Sequence, residues 1–380
     1  MDNGRNKFGI GEWSGAFGDL GTFVPFVVGY IAILGLDPTG ILLGFGVFLV
    51  IAGLCFKTPF PVQPMKAIGG IAIAGAGAIT SNMLLVAGLF SGLVWLLLGL
   101  SKGLGAISKI VSKPVMRGIV LGLGISFIMQ GTTMMADSIG VSAIALVLAF
   151  IMLSFKRVPA MLVLLLFGIL VTLIQSPYIW QELIGIRPSF NLPYFALSSA
   201  IGSLTTSEIL AGIFILAIPQ MPLTLGNAVM ATAGESNRLF PKHPITEKKI
   251  AVFKGIMNLT APIFGGIPMC NGAGGMVGHT RFGGKTGGTV IILGGILLAL
   301  GLFFSPWVIL MFSMIPMAVL GVILLFTGLE LAVTARDVGP DKTDFYILLL
   351  TAGFALWNVG LGFLIGIIAQ ELNKRKLFKL

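Results

Sequence analysis

The stretch Lys57–Gly77, KTPFPVQPMKAIGGIAIAGAG, contains three prolines within six residues, the last being Pro64. Proline lacks an amide hydrogen and fixes φ, so the start of this stretch is predicted to be extended backbone. From Met65 onward the residues are small and compatible with a helix, and Pro64 suits a helical first turn. This helix is too short to cross a bilayer. The stretch therefore predicts a broken segment, in which extended backbone leads into a half-helix carrying Lys66 in its first turn.

A second copy of this pattern occurs at Ile263–Arg281, IFGGIPMCNGAGGMVGHTR. At an offset of 204 residues (264 − 60) the two copies share four identities, at Phe264, Pro268, Met269 and Gly274. Paired segments interrupted by glycine and proline, at corresponding places in two halves, indicate a transporter binding site. If the halves are inverted, the two half-helix N-termini face each other with free amides and positive dipole ends, which favours an anion. The alternative is ordinary irregularity in packed membrane helices, where glycine and proline are common.

The composition indicates a polytopic membrane protein. Of 380 residues, 56% are hydrophobic and only 10% are charged, whereas a soluble domain has about 25% charged residues. The mean hydropathy is +1.02, and the 53 glycines favour close helix packing. Cys55 and Cys270 fall in different predicted spans, and two histidines cannot form a histidine-rich metal centre. We therefore expect no disulfide, metal or other cofactor.

The net charge of +10 is distributed unevenly along the chain. With the N-terminus inside, all but two of the 24 basic residues fall on the inner side, Lys254 among them. Only Arg187 falls outside, and Lys66 lies within the membrane. This asymmetry follows the positive-inside rule and predicts a multi-pass protein of the plasma (inner) membrane with cytoplasmic N- and C-termini. It argues against nucleic acid as a partner, and it places Glu12 near the inner surface.

The predicted fold is an all-α polytopic membrane protein with about 14 spans, arranged as 7+7 inverted repeats at roughly 20 residues per span. Residues 1–174 form the first repeat, residues 175–193 an outer connection, and residues 194–380 the second repeat. The stretch Phe345–Ala369 is long enough for one tilted helix or for two short ones. No C-terminal soluble domain is expected.

Ionisable groups inside a membrane are costly and are therefore functional candidates. The ammonium of Lys66 is unfavourable for its own helix N-terminus, so it needs an anion or a carboxylate beside it. Asp19, in the first predicted span, is the obvious carboxylate and the candidate for proton coupling. The alternative is a static ion pair that locks two helices together. Glu208 and Glu330 are interpreted as residues that cap or border spans.

Uncharged hydrogen-bonding side chains lie at the two breaks and in a polar run of the second half: Gln63, Gln220, Thr224, Asn227 and Asn271. Buried amides and hydroxyls need partners, which a bound oxyanion would supply. Backbone groups freed by nearby prolines are the alternative partners. No combination of nucleophile, base and acid is present, so an enzyme is not expected.

Four runs resemble the molybdate transporter family, a branch of the sulfate permease superfamily: GAFGDLGTFVP (Gly15–Pro25), PFPVQPMKAI (Pro59–Ile68), PQMPLTLGNAV (Pro219–Val229) and IPMCNGAGGMVGHTRFGGKTG (Ile267–Gly287). The resemblance implies the uracil-permease-like fold, with core and gate domains interleaved from both repeats. It implies a substrate between the third and tenth spans, and it implies these binding residues: Gln63, Met65, Lys66, Ala67, Gln220, Thr224, Asn227, Cys270, Asn271, Gly272 and Ala273. Asn271 is a departure, because the family pattern has histidine there.

The predicted function is import of a tetrahedral oxyanion by secondary active transport, with molybdate as the first candidate. Alternating access would expose an anion held between the two half-helix N-termini. The alternatives are a transporter for sulfate or another oxyanion, an anion channel, and a nucleobase permease on the same fold. The expected partners are molybdate or a related oxyanion (sulfate, tungstate), the lipid bilayer, a coupling proton, and a second copy of the chain in a homodimer.

Overall fold

The computed structural model describes residues 5–74, 78–101, 103–105, 112–154 and 160–375. Most of the connection at 101–113, which the sequence predicts on the inner side, lies outside these ranges. Six of the basic residues that predicted the orientation also lie outside the described residues: Lys102, Lys109, Lys156, Arg157, Lys376 and Lys379.

The first half of the chain contains the helices α1 (Ile10–Ile33), α2 (Pro38–Phe56), α3 (Lys66–Ala74), α4 (Ser81–Leu100), α5 (Lys113–Met135), α6 (Ile139–Ser154), α7 (Ala160–Gln175) and α8 (Ile179–Gly185). The ends of α2 show how local sequence sets such boundaries. The Asp37 side chain accepts a hydrogen bond from the Thr39 amide at its start, ahead of the favourable Pro38. Lys57 ends the helix in the left-handed region, with φ of 57°.

The second half contains α9 (Ala196–Ala200), α10 (Thr206–Leu239), α11 (Glu247–Thr260), α12 (Ala273–Arg281), α13 (Gly288–Phe303), α14 (Ser305–Ser313), α15 (Met317–Val333), α16 (Lys342–Trp357) and α17 (Val359–Lys374). The α10 backbone widens into π-helical turns at Gly212–Ala217 and Thr224–Ala231. Two prolines between these turns, Pro219 and Pro222, lack the amide hydrogen that a regular helix uses. Glu208 caps the start of α10, which was one of its predicted roles.

The polytopic membrane fold is confirmed. Six described helices are long and apolar enough to cross a membrane, or up to eight spans result if each of two bent helix pairs counts as one. The stretch Phe345–Ala369 forms parts of two helices, α16 and α17, and Asn358 between them caps α17. Helices α5 and α15 begin 204 residues apart (317 − 113), which equals the offset between the two broken segments. The count of about 14 spans stays a prediction.

The two predicted breaks meet in a short antiparallel pair of strands, β1 (Gln63–Pro64) and β2 (Met269–Cys270). Gln63 is opposite Cys270, and Pro64 is opposite Met269. The amide of Met65 adds a hydrogen bond of 3.0 Å to the Pro268 carbonyl. Extended backbone therefore precedes each short helix, α3 and α12, as the prolines predict.

Asn258 on α11 braces the outer edge of β2. Its Oδ1 accepts from the Met269 amide at 2.8 Å, and its Nδ2 donates to the Met269 carbonyl at 2.7 Å. The side-chain amide thus takes the place of a third strand. Asn258 in this way satisfies the buried N–H and C=O of Met269, which proline-rich β1 does not pair.

The helices pack as two groups. In the first, α4 packs along α11, α2 along α13, and α12 against the start of α1, with α3 and α10 beside them. In the second, α5 packs along α15 and α16, joined by α6, α7 and α17. Small residues permit the closest of these contacts, as is usual between membrane helices. A β-carbon added at Gly124 on α5 would lie 2.7 Å from the Gly328 carbonyl oxygen on α15.

We predict that Asn258→Ala lowers the melting temperature of the protein in detergent. The substitution leaves the Met269 N–H and C=O buried without partners, at about 1–3 kcal/mol for each group. Thr260→Val is the matched control on the same helix, because its exposed hydroxyl bonds only to α11 carbonyls. Equal melting temperatures for the two variants would show that Asn258 does not brace β2.

Candidate functional site

The candidate site lies where α3 and α12 begin, on either side of the strand pair. Helix α3 starts at Lys66, two residues after Pro64 ends β1, and α12 starts at Ala273, three residues after Cys270 ends β2. Helix α10 contributes Gln220 and Thr224 from the region of its prolines. The site is therefore built from both halves of the chain.

The N-terminus of α3 is capped by a side chain from α10. Gln220 Oε1 accepts from the Ala67 amide at 2.8 Å, and Gln220 Nε2 donates to Thr224 Oγ1 at 3.0 Å. Both side chains are completely buried. Gln220 thus forms a hydrogen bond with a backbone group that is freed at a break. The sequence left this possibility open as the alternative to a hydrogen bond with a bound oxyanion. An anion oxygen would have to displace Gln220 to reach this amide.

The N-terminus of α12 opens instead onto a cavity of about 680 Å³. No side chain caps this helix, because its N-cap residue is Gly272. The cavity is lined by Ala273 and Gly274 of the first turn, and by Lys66 and Asn227. Lys66, Asn227 and an uncapped helix N-terminus therefore share a single space, which Arg117, Arg281 and Arg336 also line.

Asp19 lies in the 3₁₀ turn Phe17–Asp19 within α1 and also lines the cavity. Gln63 Nε2 donates to its two carboxylate oxygens at 2.7 and 2.8 Å. Gly275 on α12 leaves room for this pair, since a β-carbon there would lie 2.6 Å from Asp19 Oδ2. Among the described residues Lys66 forms no salt bridge within 4.0 Å. The direct Asp19–Lys66 pair suggested by the sequence is therefore wrong, and Gln63 is the partner of Asp19.

Lys254 on α11 is fully buried, with 0% of its surface exposed. Its Nζ lies 3.0 Å from the sulfur of Cys270, and no described carboxylate lies within salt-bridge distance. Its assignment to the inner surface was wrong, because counting loop charges ignores which face of a helix a residue occupies. The sequence does carry one signal for the burial of Lys254. Lys254 and the buried Asn258 lie four residues apart, which places them on the same face of α11.

Cys270 joins Lys254 to the cap of α3. Its sulfur lies 3.9 Å from both Gln220 Nε2 and Thr224 Oγ1. A chain of polar contacts therefore runs from the Ala67 amide through Gln220 to Cys270 and Lys254. This network fills the space behind the strand pair, on buried side chains.

Asn271 is buried between the two breaks. Its Nδ2 donates to the Pro61 carbonyl at 2.8 Å, while its Oδ1 has no partner among the described residues. The predicted residues thus divide into two sets. Those that line the cavity are Lys66, Asn227 and Ala273. Those that are buried and do not line the cavity are Gln63, Met65, Ala67, Gln220, Thr224, Cys270, Asn271 and Gly272.

Glu12 is buried, with 5% of its surface exposed, and its placement near the inner surface stays a prediction. Its carboxylate accepts from the amides of Lys285 and Thr286, at 3.2 and 3.3 Å, and from the hydroxyls of Thr286 and Thr289. These contacts tie the start of α1 to the loop after α12. The sequence carries no signal for these contacts, because the threonine-containing loop is distant from Glu12 along the chain.

His279 on α12 is a second buried group that sequence reasoning missed. Its Nδ1 lies 2.8 Å from the Gly15 carbonyl, and its Nε2 has no partner among the described residues. The contact joins the last turn of α12 to α1, where glycines allow the two helices to touch. A β-carbon added at Gly18 would lie 2.9 Å from the His279 amide nitrogen.

The family profile described as "Molybdate transporter of MFS superfamily" matches residues 11–127 and 212–331, which include both broken segments. The chain belongs to the molybdate transporter family. Molybdate transporter 2 of Arabidopsis thaliana is 30% identical, over 96% of this chain and 87% of the relative. Molybdate transporter 1 of the same plant is also 30% identical, over 94% and 86% of the two chains.

Two solved membrane proteins share the fold of this molybdate transporter family member. The transmembrane domain of a cyanobacterium bicarbonate transporter, BicA, aligns with a TM-score of 0.67 and 17% identity, over 96% of this chain and 98% of that one. The murine anion transporter Slc26a9 in its inward-facing state aligns with a TM-score of 0.69 and 11% identity, over 99% and 70%. At these identities the likeness concerns the fold alone.

For this member of the molybdate transporter family, we predict that Cys270→Ala lowers the melting temperature more than Lys254→Met does. Removing the sulfur leaves a buried ammonium without a partner, which typically costs about 3–5 kcal/mol. Replacing the lysine by an apolar residue of similar length removes the charge that needs a partner. The double variant should regain most of the stability that Cys270→Ala loses. Additive losses in thermal unfolding experiments would show that the two side chains are not coupled.

Proposed function

We propose that the protein imports a tetrahedral oxyanion, with molybdate as the first substrate, by secondary active transport. The observation that carries this proposal is the composition of the cavity. The ammonium of Lys66 has no described carboxylate within salt-bridge distance, and it shares the cavity with the uncapped first turn of α12 at Ala273. A cation and a helix N-terminus together favour an anion. Family membership supports molybdate as that anion.

In the proposed complex the anion lies at the start of α12. Its oxygens accept from the first-turn amides of Ala273 and Gly274 and from the side-chain amide of Asn227, while Lys66 neutralises part of its charge. Rotation of Gln220 away from the Ala67 amide would add donors from α3. Sulfate and tungstate have the same charge and shape as molybdate, so both should compete.

Charged residues that line the cavity support an orientation for the protein. Five of them come from helix ends and loops: Arg117, Glu235, Arg281, Arg336 and Asp337. By the positive-inside rule we assign these residues, and both chain termini, to the cytoplasmic side of a plasma-membrane protein. The cavity then faces inward. Movement of the α1–α4 and α10–α13 group against the other helix group would open it to the outside.

We predict that Lys66→Met abolishes transport and weakens molybdate binding by about two to three decades, because a cation contacting a charged ligand is lost. Binding of labelled molybdate to purified protein measures the change, with sulfate, tungstate and uracil as competitors. Lys342→Met, at the exposed start of α16, is the control that should bind as wild type does. Unchanged affinity in Lys66→Met would make Lys66 structural. Competition by uracil alone would favour a nucleobase permease.

We further propose that a proton is the coupling ion and that Asp19 carries it. Protonation would convert one carboxylate oxygen from an acceptor of the Gln63 N–H into a hydroxyl donor. Gln63 is part of β1, which leads directly into Lys66, so the change reaches the anion site through the strand pair. Proton and anion would then each favour binding of the other.

Asp19→Asn tests the coupling, because the amide keeps the shape of a protonated carboxyl. Binding should persist but lose its pH dependence, and accumulation of molybdate in proteoliposomes against a gradient should fail. Asp137→Asn, in an exposed turn, should behave as wild type does. If Asp19→Asn still concentrates molybdate with the wild-type pH dependence, Asp19 is not the proton carrier. Passive flux alone in the wild-type protein would favour an anion channel.

A further inference from the structure

Glu330 on α15 lines the same cavity as Lys66 but belongs to the other group of helices. The sequence suggested that it caps or borders a span. It does not cap α15, which continues to Val333. Its carboxylate lies within electrostatic reach of Lys66, Asp19 and Arg281. A negative side chain therefore faces a space that is otherwise suited to an anion.

The other described carboxylates of the cavity already have partners. Asp19 accepts from Gln63, Glu235 forms a salt bridge of 2.6 Å with Arg238, and Asp337 forms one of 2.7 Å with Arg117. Glu330 makes no hydrogen bond or salt bridge to a described residue. It is thus the cavity carboxylate, among the described residues, that is available for a new contact.

A transporter that accumulates its substrate has to return empty after each delivery. With an oxyanion bound, the charge of Lys66 is neutralised while the cavity closes. Without an anion, closing the cavity would remove an unpaired ammonium from water, which is strongly unfavourable. The empty form therefore needs an internal anion in the substrate's place, on a surface that moves toward Lys66.

We propose that Glu330 is this internal anion. When the site is empty, its carboxylate pairs with Lys66 as the two helix groups close, and it allows the empty protein to change orientation. An arriving oxyanion displaces Glu330, which then turns toward Arg281, another cation within its electrostatic reach. This inference rests on the proposed oxyanion transport. It adds that substrate and Glu330 compete for one cation.

Net uptake and exchange separate this role from ordinary substrate binding. Net uptake includes the return of the empty protein, whereas exchange of internal for external molybdate uses only the loaded form. Glu330→Gln removes the charge and keeps the shape of the side chain. In proteoliposomes this variant should lose about tenfold or more of its net uptake, because the empty form would enclose an unpaired charge. Exchange should stay within about twofold of wild type, since the loaded form keeps its neutralising anion.

Binding of labelled molybdate to the purified Glu330→Gln variant gives an independent measurement and shows that the variant is folded. Affinity should be equal to or tighter than that of wild type, because the competing carboxylate is gone. Glu235→Gln is the matched control, since that cavity carboxylate is already paired with Arg238. It should preserve both net uptake and exchange.

Three results would overturn the inference. These are an unchanged net uptake in Glu330→Gln, an equal loss of net uptake and exchange, and weaker binding of molybdate. Failure of the wild-type protein to bind or accumulate any tetrahedral oxyanion is a different result. It would remove the proposed function itself, and it would be seen before any variant is compared.

Discussion

The pairing of β1 with β2 is the constraint on which the rest of this structure depends. Four residues from two distant parts of the chain fix where both half-helices begin, and Pro64 leaves one edge of the pair without an amide donor. The Met65–Pro268 hydrogen bond and the side chain of Asn258 compensate for the missing backbone partners. Because strand side chains alternate in direction, a slip of one residue would turn Gln63 away from Asp19. The strand register therefore sets the chemistry of the cavity wall.

Buried polar groups here form hydrogen bonds mostly with uncharged side chains. No described acidic side chain therefore pairs directly with the ammonium of Lys66 at the cavity. Gln220 caps α3, Gln63 holds Asp19, and Lys254 contacts a sulfur atom and no carboxylate. Each of these contacts fixes backbone or side-chain position without bringing an acidic group onto Lys66. If the site binds and releases a dianion, as we propose, further fixed counter-charges beside Lys66 would slow its release. In that complex the amides orient the anion, and Lys66 is the cation that shares the cavity with the first turn of α12.

The breaks and the helix boundaries were predictable because proline and glycine act through their own backbone. The partners of Asp19 and Lys254 were not, since both are set by side chains from distant parts of the chain. The carboxylate of Asp19, in a predicted span, was suggested as the partner of Lys66, but Gln63 is the side chain that donates to Asp19. Counting charges placed Lys254 at the inner surface, although α11 turns it toward Cys270. Glu12 was missed for the same reason, because its partners lie more than 270 residues away.

Asn271 shows what the departure from the family pattern changes. Its side-chain N–H holds the Pro61 carbonyl, at the entry to β1, against the start of α12. A histidine ring could donate the same hydrogen bond, so the contact between the two breaks does not require a particular residue type. The position is buried and does not line the cavity. Its side chain thus joins the breaks, and under the proposed function the anion contacts residues that do line the cavity. Since tetrahedral dianions differ mainly in size, discrimination among them would depend on the spacing between Lys66 and the first turn of α12, which this joint helps to fix.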